Sequence, residues 1–127
     1  MRIILAIALG GAIGAVSRHL FAAQVMRITG GDFPWGILLV NIVGSLAMGV
    51  LAELFALKWG ASLEVRSFLM VGILGGFTTF SSFAFETLKL AMDGEYVRAA
   101  GNVILSNVLG LSAAWLAYAV ARKSMGV

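Results

Sequence analysis

Residues 72–85 read GILGGFTTFSSFAF. They sit inside a longer apolar run, about 68–92, of the length that crosses a bilayer as one helix. The middle of the run opposes a continuous helix. Gly75 and Gly76 are adjacent and have the weakest helix propensity after proline. Phe77, Thr78, Thr79 and Phe80 follow, and β-branched or aromatic residues lose rotamer freedom in a helix. Thr78, Thr79, Ser81 and Ser82 place four hydroxyls where a membrane segment would prefer leucine. A break in such a helix frees carbonyls and amides, which need protein partners or a polar cavity. The stretch is expected to be a broken membrane helix whose broken part carries the function.

Outward from it the chain is almost all membrane segment. Of 127 residues 61% are hydrophobic and 12% charged, where soluble domains carry about a quarter charged. Four apolar runs, about 3–26, 35–57, 68–92 and 97–121, predict an all-α membrane protein of four transmembrane helices, the third broken at mid-membrane, in a single domain 1–127. Short polar connectors hold turn formers, as in Gly30-Gly31-Asp32, Lys58-Trp59-Gly60 and Asp93-Gly94-Glu95, and Pro34 stands just before the second helix. A signal peptide is not expected, because the first run is long and carries Arg18. There is no cysteine, hence no disulfide or thiolate–metal chemistry, and the single histidine, His19, leaves little for a metal cluster or a triad. No nucleophile-and-base pair is visible, so the chain is not expected to be an enzyme. The net charge of +3 suits lipid headgroups better than nucleic acid, which is not an expected partner.

Charge placement bears on orientation. With four spans, both termini and the second connector share one side, which holds Arg2, Lys58, Arg66, Arg122 and Lys123. The other side holds Arg27, Lys89 and Arg98, with Arg18 toward that end. The positive-inside rule needs a clearer asymmetry to impose one orientation. Dual topology, with two copies packed antiparallel, is the expectation.

The polar residues inside the runs admit two readings each. Gly10 and Gly14 share a helical face and suit close packing of another helix. Arg18, one turn on, is either an arginine snorkelling to the headgroups or a positive charge at the base of an anion path; His19 reads as interfacial. Asn41 either bonds to a neighbouring helix or offers its NH2 to a pore. Gly44, Ser45 and Gly49 read as packing residues, and Glu53, near the far end of its helix, as reaching the surface. Phe80 and Phe83, three apart, share a face beyond the break. They are either lipid-facing or core rings, the reading that periodicity alone favours, or rings that turn their positive edges to an anion. With hydroxyl and amide donors beside them, such rings suit a small, strongly hydrated anion, which must be held weakly to move on. Glu86 is an odd companion for that route: protonated, paired, or out at the rim. Ser106 and Asn107, then Gly110 and Ser112, read as interhelical bonding and packing, or Ser106 joins the polar lining. Trp115 and Tyr118 suit an interfacial belt, and Arg122 and Lys123 close the last helix at its negative end.

GGFTTFSSF at residues 75–83, the small-residue run ending in Arg18, and Asn41 in the second helix closely resemble the Fluc (CrcB-type) fluoride channels, over essentially the whole chain. Ser82 stands where that family more often has threonine, and the hydroxyl is kept; the fourth-helix match is looser. The resemblance implies an antiparallel dual-topology homodimer in the lipid of the cell (inner) membrane, with two pores. It implies passive export of cytoplasmic fluoride, the anion left when hydrogen fluoride enters and dissociates. It implies a structural sodium ion at the dimer interface, held by backbone carbonyls that by motif position belong to Gly75 and Thr78. It implies a fluoride pathway of Asn41, Phe80 and Phe83 with the hydroxyls of Thr79, Ser81, Ser82 and Ser106, and a vestibule arginine at Arg18.

Two other classes compete. A small proton-coupled multidrug-type exporter needs a carboxylate at mid-membrane; the first helix has none, and Glu53 and Glu86 lie away from the span centres. A non-transporting membrane subunit would not need four hydroxyls around a broken helix.

Overall fold

The computed structural model describes residues 1–126. Three helices run unbroken: α1 (Arg2–Thr29), α2 (Trp35–Leu57) and α6 (Tyr96–Ser124). The third span, Leu63–Met92, is assembled from α3 (Leu63–Arg66), a π-helical stretch (Ser67–Leu74), α4 (Gly75–Phe77) and α5 (Phe80–Met92). All four spans are long and apolar enough to cross a membrane, and no strand occurs among the described residues. This is an all-α, multi-pass membrane protein.

The ends of the elements follow local chemistry. α1 stops at Gly30, whose positive φ of 85° turns the chain while its N–H donates to the Met26 carbonyl at 3.1 Å. The third span starts at Leu63, inside the stretch expected to be a connector. The reason is Ser62, whose hydroxyl accepts from the Val65 amide at 3.3 Å and caps the first turn. Arg66 is thereby helical rather than loose: its Nη2 donates to the Phe55 carbonyl at 3.2 Å, and its guanidinium lies 5.5 Å from the centre of the Phe55 ring.

α2 packs chiefly on α6, and α1 on the first half of the third span. In lipid there is no hydrophobic drive between helices, so close approach of backbones must supply the contact. Small residues permit it. Ala113, Ala117 and Ala121, four apart on α6, are buried, and Gly49 of α2 sits against the Ala114 carbonyl. On the other side, a Cβ on Gly72 would stand 2.8 Å from the Gly10 Cα, and one on Gly76 would stand 2.7 Å from the Gly11 carbonyl oxygen. Gly14 lies against the Ile73 carbonyl. The packing role expected of the first-helix glycines is what the structure shows.

Glu53 departs from expectation. It does not reach the surface but is 4% exposed, with Oε1 3.7 Å from Nε of Arg122. Arg122 in turn donates to the Tyr118 hydroxyl at 2.7 Å. Buried carboxylates need partners, and α6 ends where Arg122 can supply one.

The break also differs in place from the propensity argument. Gly75 has φ −63° and ψ −36°, and the glycine pair is helical. Extended backbone is confined to Thr78 (φ −80°, ψ 155°) and Thr79 (φ −153°, ψ 113°). Gly76 is needed for contact with α1, not for a turn. The two β-branched threonines suit the extended region, and partners on α1 and α2 meet the groups they release.

Candidate functional site

The broken backbone is held from two sides. On α2, the Asn41 side chain takes the Thr79 amide on Oδ1 at 2.8 Å and returns a bond from Nδ2 to the Thr79 carbonyl at 3.1 Å. A two-point clamp of this kind replaces the ladder bonds an extended residue loses in a helix. On α1, Nη1 of Arg18 donates to the Thr78 carbonyl at 3.3 Å. Gly44 of α2 makes room for the Thr78 methyl. The helix-to-helix role of Asn41 is thus present, and one N–H of its amide is left over for a cavity it lines.

Beyond the break, Thr79 is the N-cap of α5. Its hydroxyl accepts from the Ser82 amide at 3.2 Å. It also donates to Ser82 Oγ at 3.1 Å and lies 3.3 Å from Ser81 Oγ. Phe80 and Phe83 stand side by side, ring centres 5.5 Å apart and tilted by 56°. Phe80 is 80% exposed, so its outer side meets nothing in its own chain.

Two cavities flank this turn. One, of about 320 Å³, is lined by Asn41, Ser45, Thr79, Phe80, Phe83, Ser106 and Asn107, with Gly44 and Gly110 opening its walls. The other, of about 360 Å³, is lined by Arg18, His19, Ser82 and Glu86 together with alanines and Met26 of α1 and with Gly36 and Ile37 at the start of α2. The rings, Asn41, Thr79 and Ser106 therefore share one chamber. Ser82 and Arg18 share another, and Ser81 lines neither. Glu86 separates that second chamber from an outer one carrying Lys89 and Arg98, and its Oε2 is buried with no hydrogen-bond partner among the described residues.

Asn102 escaped the sequence reading. It is 1% exposed. Its Nδ2 donates to Thr87 Oγ1 at 2.9 Å, Thr87 donates to the Phe83 carbonyl at 2.8 Å, and Ser106 donates to Asn102 Oδ1 at 3.4 Å. This string joins α5 to α6 behind the rings. The signal was available: Asn102, Ser106 and Gly110 are spaced four apart and share a helical face. Asn107, singled out instead, donates to its own helix at Val103.

The carbonyls suggested for sodium can be tested against this geometry. The amide that would close a helical turn onto the Gly75 carbonyl is that of Thr79, and it goes to Asn41 instead. The Thr78 carbonyl leaves from extended backbone and, beyond the bond from Arg18, has a second lone pair. Hard oxygen donors released at mid-span fit a monovalent cation.

The comparisons with known proteins come down on one family. Residues 5–118 match the model described as CrcB-like protein, Camphor Resistance (CrcB). The chain is 47% identical over 113 residues to a "Fluoride-specific ion channel FluC" of Hydrogenovibrio crunogenus, covering 89% of this chain and 86% of that one. It is 48% identical over 123 residues to the protein of that name in Opitutus terrae, covering 95% and 93%. It is 45% identical over 123 residues to the one in Geobacter sulfurreducens, covering 97% and 99%. A match of this length and depth, carried by a chain that clamps its third span open with Asn41 and Arg18, places the protein in the CrcB family.

Proposed function

We propose that this chain is a fluoride-selective ion channel that lets fluoride leave the cytoplasm passively, working as an antiparallel homodimer with two pores. Relatives that match nearly end to end bear the name of fluoride-specific channels, which supports the activity. The observation that carries the reading is the chamber beside the broken span, where Phe80 and Phe83 stand with the spare amide proton of Asn41 and the Ser106 hydroxyl. Ring edges and neutral donors hold a small anion weakly, as throughput requires. The exposed side of Phe80 supports a second copy completing the wall. Sodium would be held by the carbonyls of Gly75 and Thr78 from the two copies, and it would supply a fixed positive charge that ties the breaks together. Arg18 would attract anions toward the break while bracing the Thr78 carbonyl.

The test is fluoride efflux from liposomes holding only this purified protein, read with a fluoride electrode, with chloride efflux alongside. Fast fluoride release with negligible chloride release is expected. Well-folded dimers that release no fluoride would remove the assignment and return the exporter and subunit readings.

A further inference from the structure

The cations of the chain are spread almost evenly over its two ends, but the carboxylates are not. The end that carries the first and third connectors sets Arg18, Arg27, Lys89 and Arg98 against Asp32, Glu86, Asp93 and Glu95, and Arg98 lies 3.7 Å from Glu95. The opposite end sets Arg2, Lys58, Arg66, Arg122 and Lys123 against Glu53 and Glu64 alone, and Arg122 takes up Glu53. The whole formal charge of +3 is therefore gathered at one end. Three of its cations converge on one corner. Arg2 opens α1, which runs beside the third span in the same direction, Gly10 facing Phe68 and Gly14 facing Ile73. Arg2 is thus level with the start of that span, where Arg66 lies and where α1 touches α3. Arg66 is tied to Phe55 of α2, and Trp59 packs on the same ring, centres 5.1 Å apart. Lys58, next to Trp59, is exposed, as is Arg2. None of Arg2, Lys58 and Arg66 forms an ion pair among the described residues. Arg66 spends Nη2 on the Phe55 carbonyl, while its Nη1 makes no hydrogen bond among the described residues and is not buried.

We propose that this corner binds the headgroup of an anionic phospholipid, one per chain, its phosphate held by Arg2, Lys58 and Arg66 and its glycerol and upper acyl chains lying against Trp59 and Leu63. Cations at a membrane surface attract anionic lipid, and these three have no carboxylate of their own to satisfy them. Arg66 is the fixed member: its bond to Phe55 and its place over the Phe55 ring orient a planar fork that suits phosphate oxygens. Lys58 and Arg2 are the mobile members. The apolar surface beside them selects a lipid over a water-soluble anion. Trp59 is 44% exposed and Leu63 62%; a dissolved anion would leave both in water, whereas a lipid covers them at the depth where tryptophan belts lie. A phosphate at this corner ties the start of α1 and the end of α2 to the start of the third span. The other end, with its carboxylates matching its cations, offers no such site. The inference does not depend on what the chain conducts.

Tryptophan quenching in liposomes tests it. The full chain carrying Trp35→Phe and Trp115→Phe, so that Trp59 alone reports, is placed in phosphatidylcholine with a small fraction of phosphatidylglycerol brominated on its acyl chains. Quenching of Trp59 well above that fraction is expected, while brominated phosphatidylcholine at the same fraction quenches only in proportion to its amount. Lys58→Gln and Arg2→Gln are each expected to weaken the preference about fivefold, the weight of one cation at an anionic surface. Arg27→Gln, at the other end, is expected to leave it unchanged. Equal quenching by the two lipids overturns the site. So does a preference that survives Lys58→Gln and Arg2→Gln, or one that Arg27→Gln lowers as much, which would make it an effect of net charge. Loss of the preference on adding inorganic phosphate at matched ionic strength overturns the lipid as occupant and leaves a site for a free anion. Native mass spectrometry of the unaltered chain, released from detergent with both lipids present, keeps the test open if the single-tryptophan chain does not fold. One phosphatidylglycerol retained per chain is expected there, and no preference over phosphatidylcholine overturns the proposal.

Discussion

Asn41 commits its oxygen and one proton to the backbone of Thr79, so its effect on transport cannot be separated from its effect on the break. Asn41→Asp keeps the acceptor for the Thr79 amide, loses the donor to the Thr79 carbonyl, and adds a charge that repels anions. It is predicted to lower fluoride flux and also to lower stability by about 1–3 kcal/mol through the unmet carbonyl. Flux together with the unfolding midpoint of the dimer checks this, and a normal value of both would clear Asn41 of either role. Phe80 is the contrary case. It is 80% exposed and supports little of its own chain. Phe80→Ile keeps the bulk and loses the ring edge, and is predicted to slow fluoride roughly two- to tenfold while the dimer remains intact on size exclusion. Unchanged flux would take the ring out of the pathway.

At the scale of the element, the third span is shaped by its neighbours. The same residue type has opposite roles a few positions apart. A Cβ on Gly11 would meet nothing within 4 Å, whereas one on Gly14 would press on the Ile73 carbonyl and stand 2.9 Å from the Phe77 amide nitrogen. Gly11→Ala is therefore predicted to be neutral or stabilising by up to about 1 kcal/mol, and Gly14→Ala to destabilise by about 1–3 kcal/mol through forced separation of α1 from the third span. Thermal unfolding of the two variants in detergent compares them, and equal midpoints would contradict the packing. Composition made it legible that the third span would break, since glycines, threonines and serines crowd its centre. Where it breaks was not legible. Gly76 is held helical by contact with α1, and Thr78 and Thr79 are released because Arg18 and Asn41, 60 and 38 residues away in sequence, take their carbonyls.

For the whole molecule, the proposed arrangement of two copies in opposite orientations draws on the near-balanced cations and the exposed Phe80 ring. A reporter fused to the C-terminus is predicted to be found on both sides of the membrane, and a single-sided result would count heavily against antiparallel pairing. If sodium is held between the copies, replacing it with a bulky organic cation is predicted to lower the unfolding temperature of the dimer, since a ligand bound only to the folded state stabilises it by mass action. An unfolding temperature independent of the cation would leave the carbonyls of Gly75 and Thr78 without that partner. The sequence by itself determined the four spans, the all-helical class, the break in the third and the polar residues gathered near it, because apolar length and local propensity are properties of neighbours along the chain. Only the tertiary structure decided that Asn41 clamps Thr79, that Glu53 is buried against Arg122, that Asn102 backs the rings, and that Ser82 opens on a different chamber from Phe80. Those facts depend on which helix faces which, and in a membrane that is set by the fit of small residues and the need of each freed polar group for a partner, which a run of hydrophobic letters does not encode.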